Sequence, residues 1–136
     1  MPEHLVSILR ILLAAVLGSA IGAQREWSGK PAGLRTLALI SLGAALFAVI
    51  SEYGFAGGNP SMIAAGIVSG VGFLGAGAIL HRHSGVEGLT TAASVWLTAA
   101  IGLAAGAGFY WLSVIATVLT LIILFSPHIP PRKESK

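Results

Sequence analysis

Five apolar stretches, separated by short polar or glycine-rich ones, set the plan of this chain. They cover residues 5–23, 35–51, 60–80, 89–106 and 109–125. About 20 apolar residues in a helix cross the hydrocarbon core of a bilayer, so the pattern predicts an all-α membrane bundle of five transmembrane helices. The stretch from Pro60 to Leu80 carries no charge at all. At about 100° per residue, its Ala65, Gly66, Ser69, Gly70, Gly72, Ala76 and Gly77 gather on one half of a helix, and Ile63, Ile67, Val71 and Leu74 on the other. A glycine face costs helix propensity and makes sense where another backbone comes very close. The third helix is therefore expected to be the buried centre of the bundle, with Gly66, Gly70, Gly72 and Gly77 as packing positions. The first stretch has a similar stripe, with Ala14, Gly18 and Gly22 at four-residue spacing.

The fourth stretch is patterned differently. Glu87, Thr91, Ser94, Thr98, Gly102 and Ala105 form one polar-to-small seam, while Leu89, Ala93, Trp96, Ala100 and Leu103 take another face. Hydroxyls in membrane helices commonly bond their own backbone or a neighbouring helix, so packing is the first reading of the seam. Lining an ion or ligand path is the second. The fifth stretch has no glycine from Ser113 to Phe125 and reads as an edge helix against lipid. Loops are expected over Gln24–Leu34, Glu52–Asn59 and His81–Gly88, where glycine, proline and charge concentrate. Pro127, Pro130 and Pro131 stop the last helix ahead of a short basic tail, 127–136.

Only 10 % of the 136 residues are charged and 55 % are hydrophobic. Soluble domains carry about 25 % charge, so this chain needs a lipid bilayer as its partner, and one bundle uses all of it. Cysteine and aspartate are both absent. That removes disulfides, thiolate metal sites, an aspartyl-phosphate pump and any Asp-containing triad. No nucleophile–base pair points to an enzyme. The net charge of +3 is too small and dispersed for nucleic acid. Its placement is informative instead. Seven of the eight basic residues (Arg25, Lys30, Arg35, Arg82, Arg132, Lys133 and Lys136) fall on one side of a five-span plan. The positive-inside rule then predicts the N-terminus outside and the C-terminus in the cytoplasm. Tyr53, Tyr110 and Trp111 at the outer boundary and Trp27 at the inner one fit aromatic belts. Glu3 argues against reading residues 1–23 as a signal peptide.

Several residues invite chemical readings. Gly70-Val-Gly72-Phe-Leu-Gly75 matches a dinucleotide-binding spacing, but it lies inside an apolar run with no preceding strand, and reads as packing. Arg10, one turn into the first span, either reaches back to the headgroups or pairs with an interior partner such as Glu52. His81 and His83 are too few ligands for zinc. Mg²⁺ is normally held through carboxylates and waters, and no span carries a carboxylate, so an ion pump is not supported. Arg25 and Glu26 close the first span, Arg35 opens the second, Thr90 and Thr91 open the fourth, and Ser94 lies one turn deeper. At a common depth these six are expected to form one functional patch on the cytoplasmic side.

The segments Gly22-Ala-Gln-Arg-Glu26, Lys30-Pro-Ala-Gly-Leu-Arg-Thr36, Val68-Ser-Gly-Val-Gly-Phe-Leu-Gly-Ala-Gly77 and Gly88-Leu-Thr-Thr-Ala-Ala-Ser-Val-Trp96 resemble, in order, those of the MgtC/SapB family of bacterial inner-membrane proteins. The resemblance implies a polytopic helical membrane protein with a cytoplasmic C-terminus, linked to growth in low magnesium and to intracellular survival. For the best-known members it implies control of the F-type ATP synthase rather than ion transport. MgtC proper continues from its membrane half into a cytoplasmic ACT-like domain, so the short SapB-like members are the closer match. A regulator acting through helix contacts, or a small transporter or channel for Mg²⁺ or another solute, are the two functions left open. A homo-oligomer is compatible with either, since glycine faces serve packing within and between chains.

Overall fold

The computed structural model describes residues 2–82, 85–127 and 129, at 81 and 82 the backbone only. Five helices follow in order: α1 Glu3–Trp27, α2 Leu34–Tyr53, α3 Pro60–Gly77, α4 Leu89–Gly106 and α5 Tyr110–Phe125. A short antiparallel hairpin, β1 Leu80–Arg82 with β2 Gly85–Glu87, joins α3 to α4. The all-α bundle expected from the pattern is the fold. Helices α1 to α4 are long and apolar enough to cross a membrane, and α5 is shorter at 16 residues. The tail from Pro130 and the His81/His83 pair of side chains lie outside the described residues.

The core is a close-packed trio of α1, α2 and α4. A Cβ on Gly18 would come within 2.6 Å of the Leu37 carbonyl oxygen, and one on Gly22 within 2.5 Å of the Leu34 Cα. On the other flank of α2, Gly102 faces the Ser41 backbone so closely that a Cβ would overlap it. One turn on, a Cβ on Gly106 would sit 2.6 Å from the Ala45 carbonyl oxygen. Small residues let the three backbones approach, and Ile21, Leu37, Val95 and Ile101 fill the spaces between.

The place expected for α3 belongs to α4. Of the four long helices α4 is the most buried and α3 the least. Only Val71 and Gly75 of α3 are buried, and nothing stands within 4 Å of a Cβ on Gly66, Gly70, Gly72 or Gly77. Two of these, Gly66 and Gly70, instead line an open apolar groove of about 930 Å³ between α2 and α3, with Leu39, Phe47 and Ile63. The reason is complementarity. Beside α3, α4 presents small residues, Ala92 and Ala99 among them. The bulkier Ile67–Val71 ridge turns inward and makes the dispersion contacts that glycines cannot, and among the α3 glycines close approach to α4 is left to Gly75, where a Cβ would lie 3.4 Å from the Ala92 carbonyl oxygen.

Element boundaries moved in two informative places. The first loop was expected from Gln24, yet α1 runs on through Trp27 and carries Gln24 and Arg25 into the bundle, both buried. Helix α3 conversely ends at Gly77, and Leu80 belongs to the hairpin rather than to a span. Helix α3 starts from a regular cap, with Pro60 at its first position and the Asn59 side chain accepting from the Ser61 N–H at 3.1 Å.

Candidate functional site

Arg10 and Arg25 reach opposite ends of α4. Arg10 leaves α1 beside the last turn of α4, where its Nη1 donates to Glu52 Oε2 at 2.7 Å and to the Gly106 carbonyl at 3.2 Å. Its Nε donates to the Tyr110 hydroxyl at 3.0 Å. The interior partner, Glu52, is thus the reading the structure takes. One guanidinium ties α1, α2, α4 and α5 together, and it sits at the carbonyl end of α4, where a helix favours positive charge. Gly108, at φ +90, turns the chain beside it, and a Cβ there would press on the guanidinium at 3.1 Å.

Arg25 projects from the last turns of α1 toward the first turn of α4. It is 3 % exposed. Its Nη2 donates to Thr91 Oγ1, and Nε and Nη2 both reach the Pro31 carbonyl at 3.3 Å. Among the described residues no carboxylate pairs with it. The carbonyl it uses is presented by a strained turn, because the next residue, Ala32, has φ +58.

The other patch residues divide. Ser94 is buried one turn below Thr91, and its hydroxyl donates to the Thr90 carbonyl at 2.8 Å. Glu26 turns to α2, where its Oε1 accepts from the Leu34 N–H at 3.0 Å and its side chain covers Gly33. It caps a helix N-terminus that has no cap of its own. Arg35 and Thr90 are exposed and make no side-chain bond to another described residue. The structure therefore brings Arg25, Thr91 and Ser94 together, sets Glu26 on the adjoining loop, and leaves Arg35 and Thr90 on the surface.

The seam on α4 faces the core from Thr91 on: Thr91, Ser94, Thr98, Gly102 and Ala105 are all buried, while Glu87, expected to open the seam, lies exposed on β2 ahead of the helix. Two of its hydroxyls follow the packing reading, since Thr98 donates to the Ser94 carbonyl at 2.7 Å as Ser94 does to the Thr90 carbonyl, while Thr91 accepts from Arg25. A second hydroxyl stripe escaped the sequence reading. Ser113, Thr117 and Thr120 of α5 are buried and likewise bond their own helix. Their i, i+4, i+3 spacing was a usable signal in a helix read as wholly lipid-facing. Among the described residues two buried side-chain atoms have no partner, Ser41 Oγ at the α1–α2–α4 crossing and Gln24 Oε1 beside the end of α5. No three His, Asp or Glu side chains cluster among the described residues.

A bundle of long apolar helices, packed on glycine and pinned by an arginine at each end of its central helix, defines a polytopic membrane protein. The chain belongs to the MgtC family, whose profile matches residues 11–128. It is 51 % identical over 125 residues to the Escherichia coli K12 protein called "Putative magnesium transporter YhiD", covering 86 % of this chain and 58 % of that one. An uncharacterised Haemophilus influenzae protein is 45 % identical over 137 residues, covering 93 % of this chain and 58 % of its own length. "Protein MgtC" of Salmonella typhimurium LT2 is 46 % identical over 114 residues, covering 84 % of this chain and 49 % of that one. The chain thus spans roughly half to three-fifths of the length of these relatives. No solved structure matches it.

Proposed function

We propose that this is a non-enzymatic protein of the bacterial inner membrane that regulates adaptation to low magnesium or related stress. It acts through membrane-embedded contacts with a larger complex, the F-type ATP synthase being the partner that the family resemblance suggests. The observation that carries this reading is the Arg25–Thr91 contact. It sets a fixed positive charge at the mouth of the α4 hydroxyl seam, which repels a divalent cation where a path would have to open. The Ser94 and Thr98 hydroxyls donate to their own helix. Glu52, the acid that closes α2 at the opposite end, is held by Arg10. A hydrated Mg²⁺ would find no carboxylate with which to exchange its waters among the buried residues of the seam, Glu87 lying exposed on β2.

The second reading, a transporter for Mg²⁺ or another small solute, is favoured by the name that the 51 % identical Escherichia coli relative carries. Purified protein in liposomes loaded with a Mg²⁺-sensitive dye separates the two. No saturable flux is expected, and in a strain lacking its own copy, Glu26→Gln and Thr91→Val should abolish growth in low magnesium at unchanged protein level. Saturable uptake would promote the transporter. Full growth from both variants would reduce the patch to anchoring and packing.

A further inference from the structure

Strain is not spread evenly over this fold. Among the described residues two buried side-chain atoms lack a partner, Ser41 Oγ and Gln24 Oε1, and one residue other than glycine, Ala32, takes a left-handed backbone. All three involve α1. Gln24 belongs to it, Ala32 lies in the turn that leaves it, and Ser41 of α2 lies against its Gly18. Buried polar groups ordinarily find partners, and residues with a Cβ ordinarily avoid the left-handed region. Each exception raises the free energy of this arrangement, and such exceptions gather where a structure has a second arrangement to relax into.

Ser41 shows what that second arrangement is. Ser94, Thr98, Thr117 and Thr120 each donate to the carbonyl four residues back in their own helix. For Ser41 that acceptor is the Leu37 carbonyl. A Cβ on Gly18 would lie 2.6 Å from both the Leu37 oxygen and the Ser41 Cβ, so α1 stands over the gap that the hydroxyl needs. Two turns further along α1, Arg25 holds the Pro31 carbonyl, and Pro31 precedes Ala32. The position of α1 therefore controls both the idle hydroxyl and the strained turn.

We propose that α1 is a two-position helix, and that the bundle switches by drawing α1 back from α2. In the second position the Leu37 carbonyl is free for Ser41, the Pro31–Ala32 turn relaxes, and water reaches Gln24. Arg25 and the close glycine contacts hold the first position. A helix shift of this kind is a common switching element, and any partner that binds one position better biases the balance by its difference in affinity. The inference goes beyond the regulatory reading and stands whether or not that reading does.

The chain has no cysteine, so one introduced cysteine takes a trifluoromethyl label cleanly. Ala20→Cys, half-buried on α1, is the reporter, and Ala100→Cys, exposed on α4, is the control. Fluorine NMR of the full chain in lipid nanodiscs reads the balance from two resonances in slow exchange, or from one averaged resonance in fast exchange. Ser41→Ala removes the idle hydroxyl and Ala32→Gly relieves the turn, so each should move the Ala20 reporter at least about two-fold in population toward the first position. Gly18→Ala puts a methyl against the Leu37 oxygen and should move it about ten-fold the opposite way, between the same two end points. The Ala100 reporter should stay as in wild type. Opposite movements at Ala20 with a still control support the proposal, the more so because Ser41 and Ala32 lie at different depths. A reporter unmoved by either Ser41→Ala or Ala32→Gly overturns it. So do three variants that move Ala20 in one sense, a Gly18→Ala resonance off the wild-type line, or changes as large at Ala100. If Gly18→Ala does not fold, the other two decide: movement of both in one sense supports two positions, and anything else overturns them.

Discussion

Arg10 and Arg25 are the same side chain on one helix, 15 positions apart, and their surroundings give them different tasks. Arg10 makes three bonds to three other helices, so its loss unpairs several groups at once. Arg10→Gln is expected to cost about 1–2 kcal/mol, the net worth of one or two hydrogen bonds, because Tyr110 and Glu52 are exposed and only the Gly106 carbonyl is part-buried. Glu52 is 42 % exposed, so solvent screens its pair, and Glu52→Gln should cost about 1 kcal/mol or less. Thermal unfolding in detergent measures both, and an equal loss from the two would mean that the ion pair alone holds this corner. Ala32 offers a test of opposite sign. Its left-handed backbone costs about 1–2 kcal/mol, of which the entropy of glycine returns roughly half, so Ala32→Gly should leave stability unchanged or raise it by up to about 1 kcal/mol. A clear loss on unfolding would show that the Ala32 methyl packs in a way the turn depends on.

At the scale of elements, glycines in α3 and α4 look alike in sequence and do different things. Gly102 and Gly106 have backbone against them, while Gly70 and Gly77 have open space. Gly102→Ala is expected to destabilise by about 1–3 kcal/mol, because overpacking a helix crossing forces the backbones apart. Gly70→Ala should stabilise by up to about 1 kcal/mol through helix propensity. Val71, on the face that turns inward, should lose about 2–4 kcal/mol as Val71→Ala if its cavity does not close. Melting curves of the three purified variants give the order. Should Gly70→Ala be the damaging one, the glycine face of α3 is covered by another chain in the native membrane.

For the whole molecule, the alternation of helices fixes which ends are neighbours. The C-terminal end of α1, the start of α2, the hairpin and the start of α4 lie at one end of the bundle. Arg25, Lys30 and Arg35 lie at that end, and Glu3 and Glu52 at the other. With that bias the first end should be cytoplasmic. A reporter active only outside the cytoplasm, inserted at Gly57, should be active, and the same reporter at Gly29 or Val86 silent. Activity at Gly29 would invert the orientation and place Arg25 on the outer surface, away from any cytoplasmic partner.

The number of helices, the membrane setting and the inward seam of α4 were legible in the chain because each depends on local spacing of apolar, small and polar residues. Gly18 and Gly22 were legible as packing positions for the same reason. Sequence spacing could not say which of two glycine-bearing helices takes the centre, since that depends on which faces meet, and it is Gly102 and Gly106 of α4 that have the α2 backbone against them. Nor could it say that Gln24 and Arg25 continue the first helix. Their polarity argued for a loop, and only the tertiary structure supplies the Pro31 carbonyl, the Leu124 carbonyl and Thr91 Oγ1 that let such groups be buried. The patch was readable as a shared depth. Its division into a buried pair, a helix cap and two surface residues was decided by packing, because residues at one depth still point in different directions around their helices.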